Sequence, residues 1–331
     1  MNIVTEGQNL GNDIQESEPA TRVALSRVGV TGIKRVLRLR APGKRGNTLF
    51  FAEMDMFAHL DSSRSGVHMS RFIENIEGIS SSLAAESSPD IETLAERMAL
   101  AIATAQGTKR AEVRIRAQFP MTHPAPVSGM SVEDLYTFIG IAISDGLAAR
   151  RAIGVEVNGL TVCPCAREMA AESARESLIS AGYSAEQAAE IISIVPIASH
   201  NQRGKGTLVI GTQTSLRAET LVAVAEDAMS SGIYELMKRP DELHVVLKAH
   251  SRPRFVEDVV REMIGGVAGR IPELPDDAFV MARQENFESI HTHNASAERC
   301  GLLGEMRREL SGGASPPRGY ASLEAWLDSL L

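Results

Sequence analysis

Apolar residues recur along this chain with two different periods, and the alternation between them outlines the elements. Residues 23–39 and 48–58 interleave Val, Leu, Ile, Phe and Met with polar side chains, and the PGKRGN stretch between them is a turn signal, so the pair reads as strands. Residues 91–106 instead repeat Leu94, Met98, Ile102 and neighbouring alanines at helical spacing, with Gly107 as a stop. Strand patterns return at residues 111–119, which alternate as EVRIRAQF, at 134–144, and, after the DGLAAR turn, at 152–162. Residues 167–181 are rich in Ala and Glu and predict a helix; a second opens at Ser184, whose partner Gln187 completes a capping-box pattern, and runs to Ile194. Beyond them, residues 207–211, 243–249 and 278–286 read as strands, and 219–230 and 256–267 as helices.

Strand pairs that enclose helices point to an α+β chain with two similar halves, residues 22–146 and 147–310, the second holding a helical insert at 166–198. No literal repeat relates the halves. Residues 1–21 are polar and acidic without periodicity and read as a flexible leader. Residues 311–318 read as a linker, and the SLEAWLDSLL that follows as a short amphipathic docking helix within the tail 311–331.

Composition narrows the function classes. A chain of 331 residues, 44% hydrophobic, can bury a substantial core. No apolar run approaches the roughly 20 residues that cross a bilayer, and the N-terminus lacks the basic start and apolar stretch of a signal peptide, so a cytoplasmic protein without a membrane partner is expected. The formal net charge of -8 argues against nucleic acid as a partner, since phosphate-binding surfaces carry excess Lys and Arg. Three cysteines, an odd number, leave metal binding, catalysis or burial as their uses.

Two of those cysteines flank a proline in GLTVCPC, residues 159–165, and SHNQRGKG follows at 199–206. A soft thiolate and an imidazole suit Zn(II) or Fe(II), which makes Cys163 and His200 candidate ligands of one ion. The absence of a second Cys pair favours an open site over a closed structural one; the competing reading is a pair of small side chains filling a strand end. A second cluster, QENFESIHTHNASAER at 284–299, puts His291 and His293 on one face if extended, near Glu285 and Glu288. A third holds Glu242 before the segment 243–249, and Glu257 beside Asp258 at a helix start, where a carboxylate is favoured by the macrodipole whatever its function.

Taken in order, GVHMSRF (66–72), APVSG (125–129), GLTVCPC, SHNQRG (199–204), KRPDE (238–242), FVEDVVR (255–261) and ENFESIHTHNA (285–295) resemble the type IB GTP cyclohydrolases and their archaeal methanopterin-pathway relatives. The resemblance implies tandem tunnelling-fold halves, antiparallel sheets with helices packed on one side, and homo-oligomers, dimers or tetramers, with active sites at subunit interfaces. It implies GTP as substrate and one divalent metal ion per subunit, Fe2+ favoured over Zn2+ and Mn2+, held by Cys163, His200, Glu242 and His291. A bound divalent ion would activate water for attack on C8 of guanine at neutral pH. Glu257 matches the carboxylate that accepts the guanine N–H and exocyclic amine, and Glu288, His291 and His293 are the candidates for moving protons. His68, Ser70, Arg71, Arg203 and Lys205 are the candidates for triphosphate contacts. The insert at 166–198 is similar to the methanopterin branch, whose product is a cyclic phosphate in place of 7,8-dihydroneopterin triphosphate. A different purine-ring hydrolysis and a non-catalytic, metal-stabilised nucleotide-binding protein remain as alternatives.

Overall fold

Long runs of alternating apolar and polar residues become long strands here, and the helices between them cover one face. The computed structural model describes residues 13–40, 47–83, 90–314 and 322–329. The first half supplies β1 (Leu25–Arg40), β2 (Asn47–Leu60), α1 (Met69–Leu83), α2 (Ile91–Gln106), β3 (Ala111–Pro124) and β4 (Ser131–Ser144). The second begins with β5 (Ala149–Val162), α3 (Pro164–Ser180), α4 (Ala185–Ile194), β6 (Asn201–Gly211) and α5 (Ala218–Ala228). It continues through β7 (Ser231–Gly232), α6 (Arg239–Ser251), α7 (Val256–Arg270), β8 (Phe279–Asn286), β9 (Ala295–Leu302) and α8 (Leu303–Leu310), and α9 (Leu323–Asp328) closes the described chain.

Among the described residues the strands form one nine-stranded sheet, in the order β1-β2-β3-β4-β5-β6-β8-β9 with β7 added against β5. Neighbours along it are antiparallel. The expected boundary between halves falls in the tight turn from β4 to β5. There the Asp145 carboxylate accepts from the Leu147 and Ala148 amides, and Gly146 takes the left-handed φ of 93° that few other residues tolerate. The sheet therefore runs without a break across that boundary.

β4 shows how the two faces divide. Phe138 and Ala142 join the main core beneath α1, α2, α5 and α7, whereas Ile139, Ile141 and Ile143 turn to the opposite face and meet Leu323, Trp326 and Leu327 of α9. The docking helix expected at the C-terminus thus forms, and it is the exception to an arrangement that otherwise keeps the large helices on one side. The insert is a helical hairpin that stands off the core: α3 buries none of its side chains and α4 only Ala188. Its capping box is present, with Ser184 Oγ accepting from the Gln187 amide and Gln187 Oε1 from the Ser184 amide.

The strand expected at residues 243–249 is instead the body of α6. Val245 and Val246 favour a strand locally, but Pro240 in the first turn and the Asp241 carboxylate, which accepts from the Lys238 amide at 2.9 Å, start a helix, and Val245 and Ala249 bury one stripe of it. The sequence pattern also missed α1, β9 and α8. The described end of the leader is docked: the Ser65 amide donates to the Ser17 carbonyl at 2.8 Å and the Gly66 amide to the Gln15 carbonyl at 3.2 Å. Residues 1–12 of the leader, residues 315–318 of the linker, and the turn at 41–46 lie outside the described residues.

Candidate active site

β5 stops at Val162 because Pro164 can begin a helix but cannot extend a strand ladder. Cys163 between them is the N-cap of α3, its Sγ accepting from the Ala166 amide at 3.4 Å. The ladder nevertheless gains one more bond: the Cys163 amide donates to the His200 carbonyl at 3.1 Å, and Ser199 Oγ donates to the Cys163 carbonyl at 2.7 Å. The hairpin of α3 and α4 thus leaves and rejoins the sheet at one point, and Cys163 lies opposite His200. Thr161 is the cross-strand partner of Gln202, so Thr161, Cys163, His200 and Gln202 occupy a two-by-two block of register positions at the end of the β5–β6 ladder.

His200 sits within a network. Its Nδ1 is 3.1 Å from Gln202 Oε1, and Gln202 Nε2 donates to Thr161 Oγ1 at 3.0 Å. Glu288 Oε2 is 3.9 Å from the same Nδ1, on a side chain only 9% exposed. The loop between β8 and β9 brings it there, anchored by the Phe287 amide donating to the Arg203 carbonyl at 2.9 Å. The same loop stacks His291 on His293 with centroids 5.3 Å apart and turns the edge of His291 towards His200 at 6.2 Å. Gly204 makes this approach possible, since a Cβ there would sit 2.2 Å from Gln284 Nε2 and 2.8 Å from Asn286 Oδ1, a buried pair that hydrogen-bonds at 3.0 Å. Arg203 and Lys205 lie further along β6, opposite Leu160 and Asn158.

Two helices reach the same end of the sheet. His250 Nε2, near the end of α6, is 3.3 Å from the Ser199 carbonyl, and the Arg254 amide donates to the Val162 carbonyl at 2.9 Å just before α7. Glu257 is exposed in the first turn of α7. The capping contact there belongs to its neighbour, Asp258, which accepts from the Phe255 amide at 3.0 Å, so the Glu257 carboxylate has no partner among the described residues. Glu242 is exposed at the start of α6, eight residues before His250, which is roughly 12 Å along the helix axis.

Its neighbour Asp241 is fully buried and has a different task. Oδ1 accepts from the Val127 and Ser128 amides at 2.8 Å each, and Oδ2 from the Ser128 hydroxyl at 2.7 Å, which ties the APVSG loop to α6. These donors, the Ser128 amide foremost, hold the Asp241 carboxyl well below the usual carboxylate range.

His68, Ser70 and Arg71 are elsewhere. His68 Nε2 lies 3.3 Å from both Asp13 and Glu16, and Arg71 Nη1 donates to the Ala105 carbonyl at 2.9 Å, near the end of α2. That end of α2 abuts Gly146, where β5 begins, whereas Cys163 follows the end of β5. At about 3.3 Å per residue the two groups are separated by roughly 40 Å along that strand. One chain does not bring them together.

The donors at this end suit a transition metal only in part. Cys163 and His200 fit as a pair of soft and borderline ligands with His291 beside them, but Glu242 is not drawn in. The one set of three or more such ligand atoms within 4.8 Å of one another, among the described residues, is Asp13, Glu16 and His68 at the other end of the sheet. Sequence reasoning passed over Thr161, Gln202 and Asp241. It also passed over Arg167 in the first turns of α3, whose Nε is buried without a hydrogen-bond partner among the described residues. The two-residue spacing of His200 and Gln202 becomes a signal only because β6 begins at Asn201, six residues before the strand read from the sequence.

This end of a long antiparallel sheet gathers a cysteine, four histidines and acidic side chains, donors suited to acid–base and metal chemistry, and comparison with known proteins gives the family. The profile described as Type I GTP cyclohydrolase folE2 matches residues 12–297, and the chain belongs to that family. It is 38% identical over 305 residues to GTP cyclohydrolase MptA of Methanothermobacter thermautotrophicus, covering 90% of this chain and 95% of the relative. With GTP cyclohydrolase MptA of Methanocaldococcus jannaschii it shares 36% over 305 residues, covering 90% and 97%. Uricase from Arthrobacter globiformis aligns over 85% of this chain and 96% of its own at 8% identity and a TM-score of 0.48. Among the described residues no helix is long and apolar enough to cross a membrane.

Proposed function

We propose that this protein is a metal-dependent GTP cyclohydrolase that opens the guanine ring at C8 with release of formate, leaving a 7,8-dihydroneopterin phosphate. The observation that carries the reading is the position of Cys163 opposite His200 at the end of the β5–β6 ladder, with Glu288, His291 and His293 beside them. Cys163 and His200 would hold the ion, with His291 adjacent. Bound there, a divalent ion supplies Lewis acidity that makes water nucleophilic at neutral pH; Fe2+ is favoured, with Zn2+ and Mn2+ as alternatives.

The chain's own residues account for the rest. Glu257, exposed and free of a capping role, accepts the paired donors of the guanine edge, and Arg203 and Lys205 on β6 face the phosphates. Glu288 and the stacked His291 and His293 take up and return protons as the ring opens. Glu242 and the His68, Ser70 and Arg71 group enter as contributions of a second copy, because one chain holds them away from Cys163. The protein accordingly works as a homo-oligomer with tandem tunnelling-fold halves, each a run of two strands, helices and two strands.

The test is Cys163→Ala assayed for bound metal and for formate released from GTP. Both fall to background if the reading holds; a variant that keeps its metal and its turnover sinks it. Mass analysis of the wild-type product separates a triphosphate from a 2′,3′-cyclic phosphate.

A further inference from the structure

We infer that Gln202, held by Thr161, fixes the tautomer of His200 and thereby makes Nε2 its coordinating atom; the choice of metal as the occupant rests on the function proposed above. Gln202 is 6% exposed and Thr161 is fully buried, so neither amide end of Gln202 is satisfied by bulk water. Both ends are used within the fold: Nε2 donates to Thr161 Oγ1 at 3.0 Å, which leaves Oε1 facing His200 Nδ1 at 3.1 Å. An amide oxygen can only accept, so Nδ1 carries the proton. The Glu288 carboxylate, 3.9 Å from Nδ1, favours a proton in the same place. With Nδ1–H donated to Gln202 Oε1 and the Glu288 carboxylate on the same side of the ring, the lone pair sits on Nε2 and the ring plane is fixed.

A histidine ligand is held in this way by a hydrogen bond to its second nitrogen, and loss of such a partner commonly weakens metal affinity by 10–100-fold. Gln202 is therefore a positioning residue that acts through His200. Its cross-strand register with Thr161 ties the ligand geometry to the β5–β6 ladder, the same ladder that sets Cys163 opposite His200.

The tautomer can be read without any metal. In apo protein carrying 15N-histidine, with the His200 signals assigned by their loss in His200→Asn, His200 is expected as Nδ1–H in the wild type. Gln202→Leu is expected to shift it towards Nε2–H, and Gln202→Glu, which keeps an acceptor oxygen, to retain Nδ1–H. Titration with Co(II) alone should show affinity about 10–100-fold lower in Gln202→Leu and nearly preserved in Gln202→Glu. Thr161→Val, which removes the anchor but keeps the shape, should shift both readouts in the same direction by less, and stands in if Gln202→Leu does not fold. An Nε2–H tautomer in the wild type overturns the proposal, as does a Gln202→Leu protein unchanged in tautomer and affinity. If the tautomer responds as expected but the wild type binds no Co(II), the positioning role stands and the metal reading falls.

Discussion

At the end of the sheet where β5 begins, His68 lies between Asp13 and Glu16, Arg71 donates to a main-chain carbonyl, and Arg110 and Arg114 pair with Asp328 and Glu324 of α9. At the end where β5 stops, Arg203, Lys205, Glu242 and Glu257 have no side-chain hydrogen bond or ion pair among the described residues. Both ends are rich in charge, but at the second the paired groups, Asp241 and the Arg254–Glu262 ion pair, stand beside several that have no partner. The unpaired groups at the second are the ones to which the proposed function assigns substrate contacts. Ser70 and Arg71 complicate the contrast, because they were expected at the substrate and lie at the other end.

The sharpest way to break the comparison is to ask whether both ends serve one site. If Arg71 of one copy completes the site built around Cys163 of another, Cys163→Ala and Arg71→Ala homomers should each lose nearly all turnover. Mixed oligomers of the two, formed by coexpression, should regain roughly a quarter of it, since half of random pairings are mixed and each mixed pair has one intact site. Formate release from GTP is the measurement. Arg71→Ala that turns over like the wild type confines Arg71 to its contact with Ala105, and two inactive homomers whose mixed oligomers stay inactive rule out a site shared between these two residues.

Much of the fold could be read from periodicity, and the reasons for the failures are physical. β3 and α2 match their patterns because one face of each is buried against the core and the other is not, and β4 matches as an unbroken apolar run because it is buried on both faces. α6 did not, because its start is decided by a tertiary contact between Asp241 and the loop at 127–128, which outweighs the strand preference of Val245 and Val246. In the site, motifs nominated Cys163, His200, Glu288 and His291, all of which the fold brings to one end. What no motif carries is register: the pairing of Thr161 with Gln202 is fixed only when the α3–α4 hairpin returns β6 to β5. Nor does chain order reveal that His68 and Cys163 face opposite ends of one strand.

The end that holds the fold together should answer to a stability measurement and not to a catalytic one. Trp326 of α9 is 6% exposed, stacks on Phe279 with centroids 5.7 Å apart and has the Arg150 guanidinium 4.6 Å over its ring. Trp326→Ala should lower unfolding stability by about 3 kcal/mol, within the range for large aromatic truncations in cores. Gly211→Ala should act in the same direction, since a Cβ there would come within 2.4 Å of the indole. Urea midpoints give the loss, and turnover per folded molecule should be unchanged for both variants. A fall in turnover without loss of stability would show that the face covered by α9 communicates with the far end.

Asp241 sharpens the comparison from the other side, because it is the paired carboxylate at the end where its neighbour Glu242 is unpaired. Main-chain amides, that of Ser128 foremost, depress its pKa in the folded protein, so its ionised form stabilises the fold above the ordinary carboxylate pKa near 4 and that contribution is lost as pH falls through the folded value. Asp241→Asn keeps one acceptor oxygen but puts an amide nitrogen where Oδ2 accepts the Ser128 hydroxyl and the Lys238 amide. The variant should therefore be less stable than the wild type at pH 7 and at pH 5, with the difference narrowing on acidification below about pH 4. Urea midpoints measured at pH 7, 5 and 3 would show it. Because the 127–128 loop and the first turn of α6 move together through this carboxylate, the variant should also lose GTP turnover modestly at pH 7, through Glu242. A stability difference constant across that pH range would mean that hydrogen bonding to Asp241 is independent of its ionisation, and an unaltered turnover would remove Glu242 from the site.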